Sequence, residues 1–124
     1  MKSILEQLQA AKSAAEEAIE RLGTAQIEYD YFEEHTPYPA EAPVEDRITY
    51  CDNREALQNT VKYWENKAQK KVIAFGELLG MKVTKEMVSY DRKISSMLGT
   101  LNYYYDEVHH RLTRMIDNYN EYNH

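Results

Sequence analysis

ILEQLQAAKSAAEEAIERLGTAQIEYDYF, residues 4–32, is the stretch on which the fold turns. Ile4, Leu8, Ala11, Ala15, Ala18, Leu22, Ala25, Tyr29 and Phe32 recur at alternating spacings of 4 and 3. That rhythm puts all nine on one side of an α-helix as an unbroken heptad seam. Four of the nine are alanines, so a partner helix can approach closely if it carries bulkier residues. Ser3 and Glu6 have capping-box spacing, in which hydroxyl and carboxylate satisfy each other's backbone N–H groups. A first helix over residues 3–35 follows. Gly23 sits within it, off the seam, at a cost of up to ~1 kcal/mol relative to alanine.

Downstream, all three prolines fall at positions 37, 39 and 43, so the chain breaks there. The spacing predicts a long Pro-containing loop over 36–52, with Val44, Ile48 and Tyr50 available to anchor it. Asp52 and Glu55 read as a second capping box. A second helix over 53–79 then carries Leu57, Val61, Trp64, Ala68, Val72, Phe75 and Leu79 on one side. Gly80 suits a left-handed C-terminal cap and Thr84 an N-cap, which predicts a third helix over 85–121. Its expected seam is Met87, Tyr90, Ile94, Met97, Leu101, Tyr104, Val108, Leu112, Met115, Tyr119 and Tyr122. Two consecutive spacings of 4 around Val108 mark a slip in that heptad.

The expected fold is all-α: one domain of three long helices, with helices 2 and 3 an antiparallel hairpin and helix 1 packed along them. Helices this long bury both sides most readily against a second copy, so a homodimer completing a larger bundle is expected.

Composition narrows the function classes. The 124 residues carry a formal charge of −6, unevenly spread. Residues 1–52 hold 4 basic against 12 acidic residues, a net −8, and residues 53–124 hold 11 against 9, a net +2. An acidic chain argues against a dedicated nucleic-acid binder and points to a basic protein partner. The single cysteine, Cys51, excludes an intramolecular disulfide and a cysteine-based zinc site. Without an apolar signal region or an apolar run of ~18 residues, a cytoplasmic protein that does not enter membranes is expected.

Three motifs suggest chemistry. Glu107 and His110 have the Glu-x-x-His spacing of di-iron helical bundles, which require a second such pair. The other such spacing in the chain, Glu121 and His124, follows on the same stretch instead of lying on a facing helix, and His110 points away from the seam, so the pair is an incomplete metal candidate. Glu16, Glu17 and Glu20 have the Glu-Glu-x-x-Glu spacing of all-α nucleotide pyrophosphatases, whose magnesium needs a second acidic set on a facing helix. The second helix offers Lys67, Lys70 and Lys71 instead. Tyr63, Lys67 and Lys70 form a basic, aromatic face suited to an anionic ligand or nucleic acid. The sequence contains no phosphate-binding glycine loop and no nucleophile motif.

The residues left over favour a different role. Ile27 and Tyr31 lie opposite the seam of the first helix, and Tyr103 lies opposite that of the third. The acidic row Glu16, Glu17, Glu20 and Glu28 lies beside the former pair. The reading is a cofactor-free, non-enzymatic interaction module: a small adaptor, chaperone or inhibitor, of a kind also carried by phages and mobile elements. Its partners would be a second copy and a basic protein surface. The alternatives are a metal-dependent enzyme of pyrophosphatase type and a nucleic-acid-binding accessory protein.

Overall fold

The protein, a computed structural model, is described over residues 3–122. It is all-helical over these residues, with α1 at Ile4–His35, α2 at Val44–Leu78 and α3 at Asp91–Tyr122. Helix α1 packs against both of the others.

Helix α1 begins where the capping signal lies. Ser3 is extended, and its Oγ accepts the Glu6 N–H at 3.1 Å. The heptad seam becomes the core: Leu8, Ala15, Ala18, Leu22 and Ala25 are buried. Its ends are less covered, with Tyr29 and Phe32 half-buried and Ile4 exposed.

Helix α2 starts nine residues before the expected position, and this is the main correction. The loop shrinks to residues 36–43, and Asp52 and Glu55 are exposed residues inside the helix. Pro43 is the N-cap, its carbonyl accepting the Asp46 and Arg47 N–H groups at 3.0 and 3.2 Å. A proline just ahead of the first turn loses nothing, because N–H groups there have no helical acceptor. Glu45 and Asp46 in that turn complement the positive helix end. Val44 and Ile48 therefore do not anchor a loop; both are exposed. Tyr50 does make a tertiary contact, 5.2 Å from the ring of Phe32 and 5.4 Å from that of Tyr38.

Helices α1 and α2 form a long antiparallel pair. Arg54 bonds Glu33, Gln58 donates to the Tyr29 hydroxyl at 3.2 Å, and Arg21 lies over the Trp64 ring at 5.3 Å. A step up one helix is thus a step down the other. The alanines of α1 meet the bulk of α2, and Val72 and Phe75 are fully buried in the same cluster.

The exit from α2 follows its glycine. Gly80 adopts φ +79°, the Gly80 N–H bonds the Glu77 carbonyl at 3.0 Å, and the Met81 N–H bonds that of Gly76 at 2.9 Å. This paired arrangement is a Schellman cap. The chain then folds back instead of turning tightly into a helix. Val83 and Val88 are buried, a short 3-10 turn covers Lys85–Val88, and Gln69 Nε2 donates to the Val88 carbonyl at 2.9 Å. Thr84 precedes that turn without a side-chain bond, and α3 begins six residues later than expected. Met87 and Tyr90, expected in the seam, are exposed.

Helix α3 closes the core at the open end of the α1–α2 pair. Leu101 lies against Gly76, and the Tyr105 ring is 6.0 Å from that of Phe75. Tyr105 donates its hydroxyl to Gln9 Oε1 at 2.7 Å. The core uses Leu98 and Tyr105 where Met97 and Tyr104 were expected: Tyr105 is 5% exposed and Tyr104 42%. With that exchange the slip vanishes. Ile94, Leu98, Leu101, Tyr105, Val108, Leu112, Met115, Tyr119 and Tyr122 recur at unbroken spacings of 4 and 3. The Tyr122 side chain lies outside the described part.

Candidate interaction surfaces

Two recesses and two exposed rows hold the residues singled out by the sequence. The first recess is a cleft of about 500 Å³ between α1 and α2, lined by Glu17, Glu20, Arg21, Thr24, Glu28 and Trp64 among others. Three of the four acids of the predicted row therefore share one space. The fourth, Glu16, is held by Lys12 at 2.9 Å outside it. Glu17 pairs with Arg21 at 3.3 Å, while no ion pair is found for Glu20 or Glu28 among the described residues.

The second recess, about 620 Å³, brings together Tyr63, Asn66, Lys67, Lys70, Lys71 and Ala74. Lys67 is the best positioned of its lysines. Its Nζ lies 3.3 Å from the Tyr63 hydroxyl and 5.5 and 5.6 Å from the centres of the Tyr63 and Trp64 rings. Cation–π attraction holds the ammonium over the aromatic edge. None of the four lysines 62, 67, 70 and 71 forms an ion pair among the described residues. Helix α2 thus carries an unneutralised basic face in a protein of net charge −6. The cleft and the recess adjoin across Trp64, which sits between Arg21 on one side and Lys67 on the other.

Of the apolar residues, Ile27 and Tyr31 are 70% and 63% exposed, with Tyr31 stacked on His35 at 4.0 Å. Tyr103 is exposed and meets Tyr104 edge-on at 5.8 Å. It is not brought to Ile27. Its neighbour Tyr105 sits beside Gln9 and Lys12, and Ile27 lies about 22 Å further along α1 at 1.5 Å per residue.

Glu107 and His110 are exposed on α3, and no group of three or more His, Cys, Asp or Glu converges among the described residues. His109 leans on the Tyr105 ring at 5.6 Å. For Glu16, Glu17 and Glu20, the facing helix presents lysines at the same height, cationic neighbours in place of a second acidic set. The Arg54 pKa is raised, chiefly by its hydrogen bond to Glu33. Among the described residues, no helix is long and apolar enough to cross a membrane.

One surface escaped the sequence reading. Met115, Ile116 and Tyr119 are exposed, the first and last at 64% and 67%, although Met115 and Tyr119 continue the seam that buries Leu101 and Tyr105. Seam residues read as core when only their spacing is known. The lengths of the other helices decide whether anything covers them.

Compared with protein-family models, with curated proteins and with solved structures, the chain matches none.

Proposed function

We propose that this chain is a protein–protein interaction module that takes a partner helix along the exposed end of α3. The supporting observation is the continuous heptad that buries Leu101 and Tyr105 and then leaves Met115 64% exposed, with Ile116 exposed beside it. A heptad seam is a surface shaped for a second helix, whose side chains fill the holes between its own. Burying the part of Met115 and Ile116 that is still exposed would contribute about 1–2 kcal/mol each, enough to reward a partner. An adaptor, chaperone or inhibitor acting through helix surfaces would work in this way, with the acidic cleft of α1 steering a basic partner.

The test is affinity capture from cells that naturally make the protein, comparing wild type with Met115→Ser/Ile116→Ser and quantifying co-purified proteins. The expected result is an about tenfold loss of the main partners, with the melting temperature of the isolated protein unchanged. Equal capture by both forms would sink the reading. So would a large drop in melting temperature, which would mean that these residues pack on their own chain.

A further inference from the structure

We infer that the α1–α2 face carrying the acidic cleft and the lysine recess is self-complementary and seats a second copy of this chain. The inference is independent of the exposed end of α3. The cleft and the recess are bordered by α1 and α2 alone, with no residue of α3 lining either.

Antiparallel packing fixes the relative heights of residues on α1 and α2. Arg54 pairs with Glu33 and Gln58 with Tyr29, so positions facing each other across the antiparallel pair have numbers that sum alike. Continued along both helices at 1.5 Å per residue, the same register places Glu20 at the height of Lys67 and Glu17 at that of Lys70. The Arg21–Trp64 contact, between these pairs and the hairpin tip, keeps nearly the same register. Acid and base thus lie side by side along one face, glutamates on α1 and lysines on α2, with Arg21 a cation within the acidic row.

Symmetry turns this into an interface. A two-fold axis parallel to the hairpin, between α1 and α2, exchanges left and right and leaves height unchanged. It lays α1 of one copy on α2 of the other. Glu20 and Glu17 then face the partner's Lys67 and the partner's Lys70, and the reverse pairs form by the same operation. No other placement of two copies on this face satisfies both rows at once: a two-fold perpendicular to the hairpin puts glutamate on glutamate.

The area sets the strength. The shared face, from Ala14 to Glu28 along α1, is about 22 Å long and about 20 Å across two helices, hence about 450 Å² per copy. The total of about 900 Å² lies below the range of stable interfaces and in that of weak, transient ones. Tyr63, Trp64, Ala74 and neighbouring stems supply the apolar contact, and the remaining lining is polar or charged, so charge carries much of the attraction. A weak, salt-sensitive dimer is the consequence.

The test uses the full chain and light scattering across a dilution series in 50 mM and 500 mM salt (about a threefold change in screening length). A mass approaching twice 14.6 kDa at low salt is expected, with a dissociation constant about tenfold higher at high salt. Glu17→Lys/Glu20→Lys and Lys67→Glu/Lys70→Glu should each be monomeric, and mixing the two should restore the dimer. Glu17, Glu20 and Lys70 are exposed on their helices and Lys67 is half-buried, and circular dichroism of each variant confirms folding. Met115→Ser/Ile116→Ser should leave the dimer intact. The inference is overturned by a monomeric wild type at low salt, by a dimer that survives either charge reversal, by reversed forms that fail to recombine, or by a dimer lost with Met115 and Ile116. Lysine-row binding of nucleic acid without self-association is one form of the first outcome.

Discussion

Gly76 and Gly23 are both helical glycines, yet the space around them differs. A Cβ on Gly76 would collide with Cγ2 of Val83, the residue that folds the return segment onto α2. A Cβ on Gly23 would meet nothing within 4 Å. Gly76→Ala should therefore destabilise by about 1–2 kcal/mol, the overpacking exceeding the gain in helix propensity. Gly23→Ala should stabilise by about 0.5–1 kcal/mol. Urea denaturation of the two variants reads both signs; equal shifts would show that Val83 does not seal against α2. The same scale explains the triple tyrosine. Tyr103, Tyr104 and Tyr105 are alike by composition. Tyr105 is the one that both continues the 4 and 3 spacing and finds an acceptor, Gln9, for its hydroxyl. A buried phenol needs that acceptor, and its location 96 residues away in sequence is invisible before folding.

Among the elements, α1 was legible because three local signals agree: a cap at Ser3, a strict heptad, and proline after it. Helix α2 was misjudged at its start because two signals compete. Asp52–Glu55 has the capping-box pattern, but a cap forms only where the preceding residue leaves the helix, and nothing between Val44 and Asp52 forces it to leave. Pro43 followed by Glu45 and Asp46 was the better signal. Mutation separates the two. Ser3→Ala, at a real cap, should cost up to about 1 kcal/mol. Asp52→Ala, mid-helix and exposed, should be neutral or stabilising by up to about 0.5 kcal/mol. A cost near 1 kcal/mol at Asp52, measured by thermal melts, would place the helix start at residue 53 after all.

At the scale of the molecule, burial follows α3. Where it lies on the α1–α2 pair, Leu8, Val72, Phe75, Ile94 and Leu101 are sealed. Towards the hairpin tip, two helices alone leave Tyr29, Phe32, Tyr50 and Leu57 only half-covered. Local opening is easiest where few apolar contacts must be broken. Amide hydrogen exchange should thus be slowest in the seam around residues 15–22, 68–76 and 94–105 and clearly faster in the helical segments 27–35 and 44–57. Uniform protection across both regions would mean that something covers the tip. The candidate surfaces follow the same logic. The acidic and basic rows were each readable from helical spacing, but their common face and matched heights depend on the antiparallel pairing of α1 with α2.

The sequence by itself determined the helices as a class, the seam of α1, the glycine exit of α2 and the charge asymmetry, because these rest on local spacing and backbone preference. Only the tertiary structure decided which tyrosine is core, where the heptad of α3 becomes exposed, and which charged rows share a face. Those outcomes depend on how far one helix extends past another and on contacts between residues distant in the chain. Periodicity within a single helix carries no information about either.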